Sequence, residues 1–316
     1  MLFRHGFDDL TERDVLLLKE YFGGFDYRGA GFTFLANYIW RKSYCFCWER
    51  FGEYLMLAGV NCMEEDPRPF LAVPMVRDGS YDPAGLREAV LAVRERFREN
   101  GSPLIIYGIP GHLVPVFREA FPTEMLLDHS RDYDEYVYEK EKLIYLPGRA
   151  LHKKKNHLNY FQRTYHYDAR PLTKDMLEDV LALTDLIKDA RAADDEDLSS
   201  LEAERSAIEE LMQFLDDPEV YSTGIFIRGK LEAFALGERT SADTAVEHFE
   251  KANDSIRGIY QAVCSEFCAG LPEEIVYVNR EEDMGLENLR QAKESLKPHH
   301  MEEKYRGCFL ADFMVK

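Results

Sequence analysis

VYSTGIFIRGKLEAFALGERTSADTAVEHFEK, residues 220–251, is the stretch from which the fold follows. β-branched and aromatic residues concentrate in three runs, Val220–Arg228, Leu231–Glu238 and Thr244–Lys251. Gly229-Lys230 between the first two is a two-residue hairpin signal, so the stretch reads as an antiparallel three-strand meander. Upstream, apolar residues recur at helical intervals over Thr173–Ala190 and Ser199–Leu215. Downstream the pattern predicts a helix over Ser255–Cys268, a strand over Glu274–Asn279, a helix over Gly285–Ser295 and a last strand over Lys304–Val315.

The same order is present once before. Thr11 and Asp14 have capping-box spacing ahead of a helix ending near Tyr21, and a second apolar segment covers Phe32–Ile39. Strands over Tyr44–Trp48, Tyr54–Val60 and Phe70–Val76 follow, then a helix over Pro83–Asn100, a strand over Leu104–Tyr107 and a helix over His112–Phe121. Strands near Met125–Leu127 and Glu135–Tyr138 close the first half. Two helices, three antiparallel strands, helix, strand, helix, strand is the element order of a GNAT (N-acyltransferase) domain, and its recurrence argues for a duplication. The expected fold is a tandem GNAT-like α/β (α+β) protein with mixed, mostly antiparallel sheets flanked by helices. Leu146-Pro147-Gly148 sets the boundary, giving an N-terminal domain over 1–145 and a C-terminal domain over 146–316 that begins with a helix over 149–165.

That helix stands apart chemically. The chain carries 39 Lys and Arg against 58 Asp and Glu, a net charge of −19, which opposes loose binding to nucleic acid or anionic membranes. Yet Lys142–Tyr167 contains no acid, and Lys142, Arg149, Lys153, Lys154, Lys155 and Arg163 all fall within it. Leu151, Leu158 and Phe161 can face the protein while the cations project outward. Any polyanionic partner must meet this local patch. No stretch approaches the ~18 consecutive apolar residues of a membrane-spanning helix, and the acidic N-terminus lacks a signal-peptide core, so a cytoplasmic protein is expected. The six cysteines read as buried thiols rather than metal ligands: Cys45 and Cys47 alternate along a strand, and Cys264 and Cys268 share a helix face without a second pair. No metal site is expected.

Three segments carry a family resemblance: GRALHKKKNHLN (148–159), EHFEKAN (247–253) and YVNREEDMG (277–285). Together they resemble the family that shares the C-terminal domain of phosphatidylglycerol lysyltransferases, related more distantly to Fem-type peptidyltransferases. The resemblance implies a tandem GNAT fold and transfer of an aminoacyl group from aminoacyl-tRNA to a lipid or cell-wall precursor. It leaves the acceptor open, since the membrane-spanning half of the lysyltransferases is not in this sequence.

Read as chemistry, Arg149, Lys153, Lys154, Lys155 and Arg163 are candidates to grip phosphates of tRNA, or they form a solvated connecting helix. Strict alternation along Thr244–Asn253 puts Val246, His248 and Glu250 on one face and Glu247, Phe249 and Lys251 on the other. Glu247 or Glu250 is a candidate general base and His248 an alternative; the same acids are as well suited to a buried ion pair with Lys251 or Arg280. Asn253 and Arg257 flank NDSIRGIY, which has one glycine where a coenzyme A pyrophosphate loop would carry several. A coenzyme A thioester is therefore the alternative donor, and a non-catalytic tRNA- or nucleotide-binding protein is the alternative to an enzyme. Tyr277, Asn279 and Arg280 sit at the carboxyl end of a strand beside the expected cleft, whereas Glu282 and Asp283 read as acids in the first turn of a helix.

Overall fold

The computed structural model describes residues 6–23, 25–61, 68–193 and 198–313, the side chains of 191–193 excepted. They form two compact units. One comprises the chain up to Tyr27, Gly31–Asp134 and the segment from Glu302 onward; the other comprises Arg28–Ala30 and Glu135–Met301.

In the first unit the described elements are β1 (Asp8–Asp9), α1 (Val15–Phe22), α2 (Phe34–Ile39), β2 (Cys47–Phe51), β3 (Tyr54–Val60), β4 (Pro69–Ala72), β5 (Met75–Val76), α3 (Pro83–Glu99), β6 (Ile105–Pro110), α4 (Val114–Ala120) and β7 (Met125–His129). The Thr11–Asp14 capping box is present, with Thr11 N–H donating to Asp14 at 2.8 Å. β3 is buried along its whole length, as a central strand must be. Cys47 and Cys308 are buried free thiols as expected, but Cys45 is disulfide-bonded, so the reading of six thiols fails there.

The second unit contains β8 (Glu135–Glu139), α5 (Lys140–Tyr145), α6 (His152–Thr164), β9 (Tyr167–Arg170), α7 (Leu177–Ala193), α8 (Leu198–Met212), β10 (Val220–Ile227), β11 (Lys230–Arg239), β12 (Thr244–Ala252), α9 (Ile259–Gly270), β13 (Tyr277–Asn279), α10 (Glu287–Glu294) and β14 (His300–Glu302). Leu158 and Phe161 of the basic helix α6 are buried, with Phe267 of α9 and Val278 of β13 in the same core cluster. The predicted inward face of that helix is thereby the one the structure buries.

The repeat is visible in the pairing. In each unit an antiparallel trio (β2, β3, β4; β10, β11, β12) is followed by a helix (α3; α9) and then by a strand parallel to the trio's last member. The unit boundaries differ from the predicted division at 145/146. The C-terminal strand β15 (Lys304–Phe309) lies between β6 and β7 in the first sheet, and β8 lies between β13 and β14 in the second. Each half of the chain thus lends the other unit one strand. Insertion there pairs both edges of the borrowed strand and covers the open edge of β6 or β13, which strands taken in sequence order would leave exposed.

Candidate active site

β12 and β13 run parallel through only three residue pairs, Thr244 with Tyr277, Ala245 with Val278 and Val246 with Asn279. Beyond Val246 the two part, and the next residues on each side are the acidic run of β12 and the loop that starts at Arg280. A β-bulge changes how that run presents itself. Gly237 pairs with Glu247 and Leu236 with Phe249, so His248 is an extra residue without a partner on β11. The bulge reverses the alternation, and Glu247 and Glu250 come to the same face; the predicted split, with Glu250 beside His248 and Glu247 opposite, is corrected by that one extra residue. Gly237 makes the bulge possible. A Cβ there would lie 2.0 Å from the Val246 carbonyl oxygen and 3.0 Å from the Phe267 ring.

On the shared face the two carboxylates meet Arg280. Its Nε lies 2.5 Å from Glu247 Oε2 and its Nη2 2.9 Å from Glu250 Oε2, which realises the ion pair the sequence allowed. The guanidinium thus holds one oxygen of each carboxylate, and the buried Glu247 Oε1 has no hydrogen-bond partner of its own. Burial pushes the Glu247 carboxyl up to about 8; Arg280 opposes the rise and the Glu250 carboxylate adds to it. The Cys264 thiol of α9 lies beside the pair, its sulfur and the carboxylate oxygens all within 4.8 Å of one another. Arg280 already supplies positive charge at this point, and the hydrogen bond to Cys268 and burial hold the Cys264 thiol well above its ordinary value, which disfavours a thiolate metal ligand.

His248 takes a different role from the base proposed for it. Its Nδ1 lies 2.8 Å from Glu281 and its Nε2 2.9 Å from Glu238, and the ring is buried. Burial alone would lower its pKa, but the two carboxylates overcome this and hold it at about 10. An imidazolium with both nitrogens donating has no lone pair to accept a proton. It ties β11 to the 280–285 loop.

That loop is held from several sides. Glu281 (φ 57) and Met284 (φ 52) adopt left-handed backbone conformations that non-glycine residues seldom take. Asn279 Oδ1 accepts the Glu281 N–H at 2.8 Å, and Lys293 of α10 donates to the carbonyls of Arg280 and Glu282. Asp283 accepts from Tyr136, Gly285 and both arms of Arg290, and the Arg290 bond leads in holding its carboxyl well below the usual range. Glu282 and Asp283 were expected to open a helix; α10 instead starts at Glu287, and Asp283 is the hub of the loop. The loop's shape directs the Arg280 side chain to β12.

Residues 25–308 match the family described as phosphatidylglycerol lysyltransferase, C-terminal. The chain belongs to that family. Among solved structures, a conserved protein of unknown function from Bacteroides thetaiotaomicron is 26% identical with a TM-score of 0.83, over 96% of this chain and 99% of the other. L-PGS from Bacillus licheniformis shares the fold at 13% identity and a TM-score of 0.63, over 97% and 94% of the two chains. An uncharacterised protein of Mycoplasmoides gallisepticum is 24% identical over 66% of this chain, and the matched region spans 65% of that relative's length. The tandem GNAT fold expected from the repeat is the fold of this phosphatidylglycerol lysyltransferase C-terminal family member.

Elsewhere in this family member the predicted site residues are placed as follows. Arg149, Lys153, Lys155 and Arg163 are exposed and Lys154 half-buried, on or just before α6. Gly258 (φ 88), at the start of α9, is so close to α6 that a Cβ would lie 2.3 Å from the His157 carbonyl oxygen, and Arg257 stacks 4.5 Å over Tyr160. Asn253 is engaged at both ends, donating to Glu232 at 2.8 Å and accepting from Ser255. Asn279 is fully buried and donates to Glu135 at 2.6 Å and to the Arg28 carbonyl at 2.8 Å, which makes it a pin for the loop. The Tyr277 ring lies under the Arg28 guanidinium at 4.5 Å and beside His299. The fold thus gathers Glu247, Glu250 and Arg280 in one cluster with His248 next to it, and leaves Tyr277, Asn253, Arg257 and the α6 cations outside. Glu238, Glu281 and Lys293 were missed; Glu281 had a signal in the YVNREEDMG segment, and Lys293 had none.

Proposed function

We propose that the chain transfers an aminoacyl group from aminoacyl-tRNA to an amine or hydroxyl acceptor, with Glu247 as proton acceptor. The observation that carries this is the buried Glu247–Glu250 pair at the parting of β12 and β13, two carboxylates sharing the single guanidinium of Arg280. A carboxylate whose pKa is about 8 is matched to taking a proton near neutral pH. In the transfer, the acceptor's nitrogen or oxygen attacks the ester carbonyl, its proton passes to Glu247, the ester C–O bond breaks, and the proton returns to the departing ribose oxygen.

Two features favour tRNA over coenzyme A as the donor's carrier. The exposed cations of α6 form a patch without acids in a chain of net charge −19. In the segment before α9, where a pyrophosphate would need free amides, three are already engaged: Ser255 N–H donates to Asn253 Oδ1, Ile256 N–H to the Asn253 carbonyl, and Ile259 N–H to the Ile256 carbonyl. A thermal-shift series with charged tRNA, uncharged tRNA, coenzyme A and acetyl-CoA tests the reading. A ligand at about a hundred times its Kd adds ~2.7 kcal/mol, so tRNA should raise Tm and coenzyme A should not. The reverse pattern would transfer the protein to the coenzyme A class.

A further inference from the structure

Two histidines stand next to each other at the edge of the second unit's sheet, where the chain passes from α10 into β14. Within a regular strand, neighbouring residues face opposite sides and such a pair would be split. Lys297 instead takes a left-handed backbone conformation (φ 60), and His299 lies just outside β14 while His300 is its first residue. The two rings come together, with centroids 5.1 Å apart and planes at 83°, and their Nδ1 atoms lie 2.9 Å from each other. Both rings are braced from the protein side. Tyr277 of β13 packs against His299 at 5.1 Å and against His300 at 5.9 Å, and the His299 N–H donates to the Val137 carbonyl at 2.7 Å. Lys142 Nζ donates to the Lys297 carbonyl at 2.8 Å, which holds the approach to the pair.

We propose that His299 and His300 chelate one transition-metal ion of the copper(II) or nickel(II) class through their Nδ1 atoms. The separation decides the class. With metal–nitrogen bonds of about 2.0–2.1 Å, two nitrogens 2.9 Å apart subtend about 90° at the ion. That is the cis angle of square-planar and octahedral coordination, whereas a tetrahedral zinc site would hold the pair about 3.3–3.4 Å apart. Imidazole is a poor ligand for calcium and magnesium, which take oxygen donors. The hydrogen positions fit the same role. Glu139 Oε1 lies 4.0 Å from His299 Nε2 and favours a hydrogen on that nitrogen, which leaves Nδ1 with its lone pair and makes His300 Nδ1 the donor in their contact. A carboxylate behind the outer ring nitrogen is also the arrangement that orients a metal-bound histidine. Moving the His300 hydrogen to Nε2 frees the second lone pair, so the ion is taken up with no change in the number of bound protons. The His299 side chain is 41% exposed, which leaves the remaining coordination positions open to water or a small ligand.

The site goes beyond acyl transfer and is tested by binding alone. Isothermal titration of the whole, tag-free chain with copper(II), nickel(II), zinc and magnesium chlorides should show saturable copper binding at micromolar concentration, with nickel weaker, zinc weaker still and magnesium silent. Electron paramagnetic resonance of the copper-loaded protein should show hyperfine coupling to two imidazole nitrogens. His299→Asn and His300→Asn should each weaken copper binding by about tenfold or more while the melting curve stays cooperative. His152→Asn, at the start of α6, is the control and should leave copper binding unchanged. The wild-type spectrum reads the ligands directly, so the test holds where a variant fails to fold. No saturable copper binding, zinc bound more tightly than copper, a spectrum without two nitrogens, or binding that both folded variants leave intact would overturn the proposal. The last result would move the ion to Glu247, Glu250 and Cys264.

Discussion

Replacing Glu247 with Gln should make the protein more stable at neutral pH while destroying the site. Folding raises this carboxyl from 4.5 to about 8, and burial is the first cause. For an acid whose folded value is raised, ionisation opposes folding: the penalty is absent below 4.5, grows as pH rises toward 8, and is constant above that. The interval from 4.5 to pH 7, at about 1.4 kcal/mol per pH unit, sets the penalty at roughly 3 kcal/mol at neutral pH. Gln resembles the protonated carboxyl in shape and cannot ionise, and Arg280 retains Glu250 as its partner. Urea unfolding at pH 5, 7 and 8.5 reads the difference directly, as a shift in midpoint without a change in slope. The variant should exceed the wild type by less than about 1 kcal/mol at pH 5 and by up to about 3 kcal/mol at pH 7. A variant less stable than the wild type at every pH would mean that Glu247 is ionised and stabilising through Arg280, and that burial does not raise its carboxyl as argued. The stabilised variant would be an instance of a functional group retained at the expense of stability.

Three further outcomes follow from the same geometry. His248→Gln leaves Glu238 and Glu281 without their shared cation and should cost about 3–5 kcal/mol; because His248 is raised from 6.5 to about 10, its contribution is complete below pH 6.5 and lost as pH rises through 10, so denaturation curves of variant and wild type should converge over that range. Gly237→Ala places a methyl 2.0 Å from the Val246 carbonyl oxygen and should cost at least roughly 1–3 kcal/mol in urea unfolding, with loss of the Glu247 pH signature as the bulge shifts. Changing Lys153, Lys154 and Lys155 together to Gln should flatten the plot of log tRNA affinity against log salt by up to about 2–3 in slope, with little change in Tm; an unchanged slope would reduce α6 to a connector.

The parts of this fold that rest on local pattern are legible in the sequence. The β10–β11 hairpin falls where the sequence puts it, although its two turn residues are the left-handed Arg228 (φ 54) and Gly229 (φ 82) rather than Gly229 and Lys230, since Ile227 pairs with Lys230. The Thr11–Asp14 box is present as spaced, and Leu158 and Phe161 face inward from the basic helix. The exchange of β8 and β15 is not legible, because Glu135–Glu139 and Lys304–Phe309 look like strands of the half in which they stand and nothing local names a distant partner. The site fails to read for a similar reason. Alternation is counted from one residue to the next, and the single unpaired position at His248 inverts it for Glu250. Gly237 was the visible sign, a glycine in the interior of a strand. His248 looked like a base because its two carboxylates come from β11 and from a loop 33 residues away.

The central claim is that Glu247 accepts the proton in aminoacyl transfer, and single-turnover transfer from labelled aminoacyl-tRNA tests it most directly. With wild-type protein and a panel of amine and hydroxyl acceptors, label should leave the tRNA for an acceptor at a rate that climbs as pH rises toward 8 and levels above it. Glu247→Gln, folded and at least as stable, should lose about a hundredfold or more of that rate. Transfer that Glu247→Gln leaves at full rate, or label that stays on the tRNA while an acyl-CoA is consumed, would contradict the account.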